Sequence, residues 1–99
     1  MSIDDVTTKL IEIHRQYQID GDFADADKVN RKCKPLADLE GFESDFIPEI
    51  VRRLARELGQ PLAKGTRVTN IYVEKGNKLS ITEVARKFAT KYAPKGVAV

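Results

Sequence analysis

Apolar residues recur along this chain with a helical period in three places. Val6, Leu10, Ile13 and Tyr17 follow one another at spacings of four, three and four, and Ile3 extends the stripe. That spacing predicts an amphipathic helix from about Ile3 to Tyr17. Ser2 or Asp4 is placed to cap it, and Asp4 and Asp5 suit the positive end of its dipole. A second stripe, Ile47, Ile50, Val51, Leu54 and Leu58, predicts a helix that begins at Ser44. Its other face holds Glu49, Arg52, Arg53, Arg56 and Glu57. Ser44 stands at the N-cap or beside it, Pro48 falls in the first turn, and Gly59 follows the end. The third stripe is Val84, Ala85, Phe88 and Tyr92, opened by the capping-box pair Ser80 and Glu83. Residues 93–96 are expected to end this helix and 94–99 to form a loose tail.

The segments between these stripes are less regular. Asp20, Gly21 and Asp22 read as a turn. Ala26, Val29 and Cys33 share a helical face, so a short helix between Asp25 and Lys34 is expected, closed by Pro35. Residues 66–80 admit two readings: a small hairpin around Gly76 and Asn77, or a short irregular helix from Thr66 to Val73. The expected architecture is a mainly α, single-domain helical bundle over residues 1–99. Its expected core is Val6, Leu10, Ile13, Tyr17, Phe46, Ile47, Ile50, Val51, Leu54, Leu58, Val84, Phe88 and Tyr92.

Composition narrows the function classes. The 99 residues are enough for one domain. No apolar run nears the roughly 20 residues of a membrane span. The stretch Met1 to Asp5 lacks the basic-then-apolar order of a signal peptide, so a cytoplasmic location is expected. The net charge of +2 divides unevenly: residues 1–49 carry −6 and residues 50–99 carry +8. Either the halves attract each other within the fold or the surface keeps an acidic and a basic face. Chemistry within the chain is sparse. His14, the only histidine, stands beside the apolar stripe and reads as a surface or boundary residue. Cys33, the only cysteine, lacks a context that would activate its thiol. Asp20, Asp22, Asp25 and Asp27 do not match the calcium-loop spacing, so no metal site is expected. The chain reads as a carrier or binding module rather than an enzyme.

One serine stands out. Gly41, Phe42, Glu43 and Ser44 end a long loop and open the second amphipathic helix. This resembles the prosthetic-group site of acyl carrier proteins, in which a Gly, a further residue, an Asp and the Ser open the second helix. Glu49, Ile50, Val51, Leu54, Glu57, Leu58 and Gly59 fall where that family has corresponding residue types. Pro61 is similar to the proline after its helix, and the segment from Ser80 through Val84 and Ala85 resembles its final helix. The similarity spans most of residues 36–92. It implies that Ser44 carries 4'-phosphopantetheine, attached by a phosphopantetheinyl transferase, and holds an acyl group as a thioester. The protein would then be a phosphoprotein that presents cargo to acyl-synthesis or acyl-transfer enzymes of lipid or polyketide biosynthesis, acting as a monomer. Glu43, Asp45, Glu49, Arg52, Arg53 and Arg56 would meet those partners. The chain departs from the family pattern at Glu43, at Asp45 (where the family has Leu), in the three arginines of a helix that is normally acidic, and in extra residues between Gly59 and the last helix.

Three other readings stand beside this one. Ser44 by itself is an ordinary helix cap. A carrier fold without the prosthetic group would make an adaptor with two charged docking faces. A small basic nucleic-acid-binding protein is the last: residues 81–88 resemble the first helix of a helix-turn-helix unit. That unit needs a second helix, which residues 93–99, with Pro94 and Gly96, are not expected to supply.

Overall fold

The computed structural model describes residues 2–92; the expected end of the last helix and the loose tail lie outside that range. Helix α1 spans Ile3–Asp20. Ser2 caps it reciprocally: the Asp5 N–H donates to Ser2 Oγ at 3.2 Å and the Ser2 N–H donates to Asp5 Oδ2 at 2.9 Å. A single 3₁₀ turn, Ala26–Lys28, and a four-residue helix α2, Pro35–Asp38, follow. The expected helix between Asp25 and Lys34 does not form. The Asn30 side-chain oxygen accepts from the Lys32 and Cys33 N–H groups, which supplies a turn in place of helical bonds. Pro35 opens α2 instead of closing a preceding helix, because its missing N–H is no loss in a first turn.

Helix α3 spans Ile47–Glu57 and is entered through a 3₁₀ turn at Ser44–Phe46. Gly59, at φ +81°, ends it, and the Gln60 N–H returns to the Ala55 carbonyl at 3.0 Å. Strands β1, Val73–Glu74, and β2, Asn77–Lys78, pair antiparallel, with Val73 opposite Lys78 and Glu74 opposite Asn77. Of the two readings for residues 66–80 the hairpin is correct. Its turn is Lys75-Gly76, both at positive φ, one residue earlier than the Gly76-Asn77 expected. Helix α4 spans Ile81–Tyr92 and carries the expected capping box between Ser80 and Glu83. Its first N–H groups are also received by the preceding loop: Ile81 donates to the Cys33 carbonyl and Thr82 to the Arg31 carbonyl. Among the described residues no helix is long and apolar enough to cross a membrane.

The result is a small, mainly helical bundle in which α1 lies against both α4 and α3. Val6, Leu10, Ile13, Ile47, Ile50, Val51, Leu54, Val84 and Phe88 are buried as expected. Tyr17, Leu58 and Tyr92 are only half-buried against that core. Phe46 is 36% exposed, because the 3₁₀ turn rotates it off the α3 stripe. Ala55, Ile81, Ala85 and Ala89 of the helices are buried too, and the irregular segments supply Val29, Cys33, Leu39, Phe42, Ile71, Tyr72 and Leu79.

His14 departs most from expectation. It is completely buried, and its Nε2 lies 2.7 Å from Tyr72 Oη. The imidazole packs edge-on against Phe42, ring centroids 4.8 Å apart, and against Tyr72 at 5.6 Å. A helix packed on two sides needs an apolar band wider than one stripe. Thr7, His14 and Gln18 line its second edge, all at 0% exposure.

The charge division is also settled in detail. Among the described residues each ion pair joins two residues of the same half: Lys9–Glu12, Lys28–Asp25 and Arg31–Asp4 in the first, Arg53–Glu57 and Lys87–Glu74 in the second. Among the described residues no ion pair joins the two halves.

Candidate functional site

Ser44 sits where the long loop becomes helical, and the loop is pinned from behind by α1. Tyr17 Oη donates to the Gly41 carbonyl at 3.0 Å, and Gln18 Nε2 donates to the Glu40 carbonyl at 2.7 Å. The Glu40 N–H in turn donates to the Asp25 carboxylate at 2.7 Å. This bond, ahead of Lys28, holds the Asp25 carboxyl below its ordinary pKa. Phe42 inserts into the core and touches the rings of His14, Tyr17 and Tyr72. At the next residue the chain emerges, and Glu43, Ser44 and Asp45 are exposed.

Gly41 makes this path possible. Its φ is +74°, and the Phe23 ring lies where a Cβ would stand. Phe23 is itself stacked on Tyr17, centroids 5.9 Å apart. Gly41→Ala should therefore destabilise the fold by about 1–3 kcal/mol, through strained backbone and a displaced ring. Chemical denaturation reads this directly; an unchanged midpoint would show that the loop accommodates the methyl group freely.

Ser44 is the neighbour of the cap rather than the cap itself. Glu43 occupies the cap position with extended backbone, and no side chain caps either the 3₁₀ turn or α3. The Ser44 hydroxyl has no hydrogen-bond partner among the described residues. It borders a groove of about 180 Å³ between the start of α3 and the loop before the hairpin, lined also by Ile47, Pro48, Val68, Thr69 and Asn70. The far wall is fixed to α4, since the Thr69 N–H donates to Tyr92 Oη at 2.9 Å and Lys91 Nζ donates to Thr69 Oγ1 at 2.7 Å.

The other expected site residues fall around this junction. Glu43, Asp45 and Glu49 are exposed on its acidic side. Burial, and then the charges of Glu49 and Glu43, raise the pKa of the Tyr17 hydroxyl that holds the loop. The arginines diverge. Arg52 donates to the Thr66 carbonyl at 2.6 Å, Arg53 pairs with Glu57 at 2.6 Å, and Arg56 is exposed without an ion pair among the described residues.

Among the described residues neither the histidine nor the cysteine is placed to act on Ser44. His14 is sealed in the core, and burial pulls its pKa down to about 3. Cys33 is buried as well, which pushes its thiol up. Among the described residues no group of three or more His, Cys, Asp or Glu could hold a metal ion. A larger depression of about 540 Å³ is lined by Lys28, Asn30, Lys32, Cys33, Ala37 and Asp38, none of which borders the Ser44 groove. The role of Thr69 and Asn70 at the groove had no sequence signal, because they belong to a loop without periodicity. Comparison with protein-family models, with curated proteins and with solved structures gives no match.

Proposed function

We propose that this protein is an acyl carrier-like module in which Ser44 bears 4'-phosphopantetheine. The observation that carries the reading is the state of Ser44: an exposed, unpartnered hydroxyl at the mouth of a groove, at the start of a helix whose entry it does not cap. A serine kept for capping would bond to an N–H two or three residues on; here the Phe46 N–H donates to the Glu43 carbonyl and the Ile47 N–H to the Ser44 carbonyl, so the hydroxyl is not used as a cap. The dipole of the helix that follows favours a phosphodiester at that position. The pinned loop behind it presents the hydroxyl to a modifying enzyme on a rigid base. Once attached, the arm supplies the thiol that holds an acyl group, while the chain itself anchors and presents it. The phosphopantetheinyl transferase and acyl-transfer enzymes are the implied partners.

Labelling with a fluorescent coenzyme A analogue and a broad-specificity transferase tests this. The wild-type chain should take up one fluorophore and the Ser44→Ala variant none. Equal labelling of both, or no labelling of folded wild type, would remove the proposal.

A further inference from the structure

A depression of about 400 Å³ lies between β1 and the outer side of α4, lined by Glu74, Arg86, Lys87, Thr90 and Lys91. It shares no lining residue with the Ser44 groove. Three cations face one carboxylate there, which leaves two positive charges in excess. Among the described residues only Lys87 is paired with that carboxylate: its Nζ lies 3.4 Å from Glu74 Oε1 and donates to the Val73 carbonyl at 3.4 Å. Lys91 Nζ is held by a neutral oxygen instead, Thr69 Oγ1 at 2.7 Å. Arg86 makes no side-chain hydrogen bond or ion pair among the described residues. Glu83, one turn before it, would be its ordinary helical partner, but the Glu83 carboxylate accepts from the Ser80 N–H at 3.0 Å. Thr90, one turn after Arg86, is exposed, and its hydroxyl is likewise without a partner among the described residues. Cations in the last turn of a helix offset its dipole, an effect that fades beyond that turn. Arg86 stands in the middle of α4, so the dipole does not account for it.

We propose that this depression is a binding site for the phosphate monoester of a small molecule. A monoester carries a charge of about −2 near neutral pH, which matches the excess charge of the walls. The Arg86 guanidinium offers paired N–H donors to two phosphate oxygens. The Lys91 ammonium and the Thr90 hydroxyl have donors for the third, and Lys87, braced by Glu74, adds charge from the β1 side. The methylene stems of Arg86, Lys87 and Lys91 give the body of the ligand apolar surface to lie on. The volume falls within the range of roughly 300–1,000 Å³ that encloses small molecules. A phosphodiester, with a single charge, would leave half of the excess unanswered. A nucleic-acid backbone is a row of such diesters and is disfavoured for that reason. The inference does not rest on modification of Ser44.

The probe is phenyl phosphate, titrated into the isotope-labelled full chain at constant ionic strength and followed by amide chemical shifts. The shifts should saturate at Arg86, Lys87 and Thr90. Arg86→Gln and Lys91→Gln combined should weaken binding about tenfold or more. Lys28→Gln and Lys32→Gln combined, which remove the same charge from the larger depression, should change it by less than about twofold. Methyl phenyl phosphate, the corresponding diester, should bind about tenfold or more weakly than the monoester. Shifts that do not saturate, equal losses from the two double variants, or equal affinity for the diester would overturn the proposal. So would tighter binding of a phosphoserine peptide or of a duplex DNA at the same residues, since either would assign these cations to a macromolecule.

Discussion

Lowering the pH from 7 to 5 should remove about 2 kcal/mol of folding stability through His14 alone, and about 3 kcal/mol by pH 4. The sign follows from where the proton is welcome. In the unfolded chain His14 is solvated and takes up a proton near its ordinary pKa of about 6.5. In the folded protein burial depresses that value to about 3. Between those two values the unfolded state holds a proton that the folded state refuses, so stability is full above about 6.5 and falls with pH. The carboxylates held low by their hydrogen bonds, Asp25 and Glu83, also lose their contribution on acidification. That loss begins only near their ordinary range, around pH 4. The interval from 6.5 to 5 therefore reports His14. Urea unfolding at successive pH values should show a sloping stability for wild type and a nearly flat one for His14→Gln, which keeps a polar partner for Tyr72 without titrating. Parallel slopes would place the acid sensitivity elsewhere.

Phe42→Ala should cost about 3–5 kcal/mol, a large part of what a small domain possesses. The ring is 4% exposed and meets three aromatic partners: His14, Tyr17 and Tyr72. Removing it leaves a cavity beside the His14–Tyr72 hydrogen bond, which rigid neighbours on α1 cannot close. At about 4–8 °C per kcal/mol for a domain of this size, the melting temperature should fall by at least about 12 °C. The consequence reaches Ser44, two residues on. Amide exchange at Glu43 to Asp45 should rise more than at the centre of α4, because Phe42 is the only buried side chain between Gly41 and Phe46. A drop of less than about 1 kcal/mol would show that the loop is held by its hydrogen bonds alone.

The three long helices were readable because each buries a stripe that repeats every three or four residues, and their caps at Ser2 and Ser80 use short local patterns. The remainder of the core was not. Val29, Leu39, Phe42, Ile71 and Tyr72 are buried from irregular segments, where successive side chains follow no period and burial is decided by distant partners. His14 was misassigned for a related reason. Its burial depends on a hydroxyl 58 residues away and on the width of the face α1 must cover, neither visible in a single stripe. At the site, the serine, its acidic neighbours and the following helix were legible as a local pattern. The opposite wall of the groove was not, since Val68, Thr69 and Asn70 belong to a loop held by tertiary bonds, Thr69 to Tyr92 and Lys91 of α4 and Thr66 to Arg52 of α3. The arginines were legible as residues on a polar face but not as charges directed away from Glu49.

The functional account depends on a single oxygen atom, Ser44 Oγ. The most direct test is the intact mass of the full chain after co-expression with a broad-specificity phosphopantetheinyl transferase, followed by peptide mapping. The account predicts a gain of one phosphopantetheine, mapped to Ser44 and lost in Ser44→Ala. A folded protein whose mass stays that of the bare chain, or a gain mapped to another residue, would contradict it.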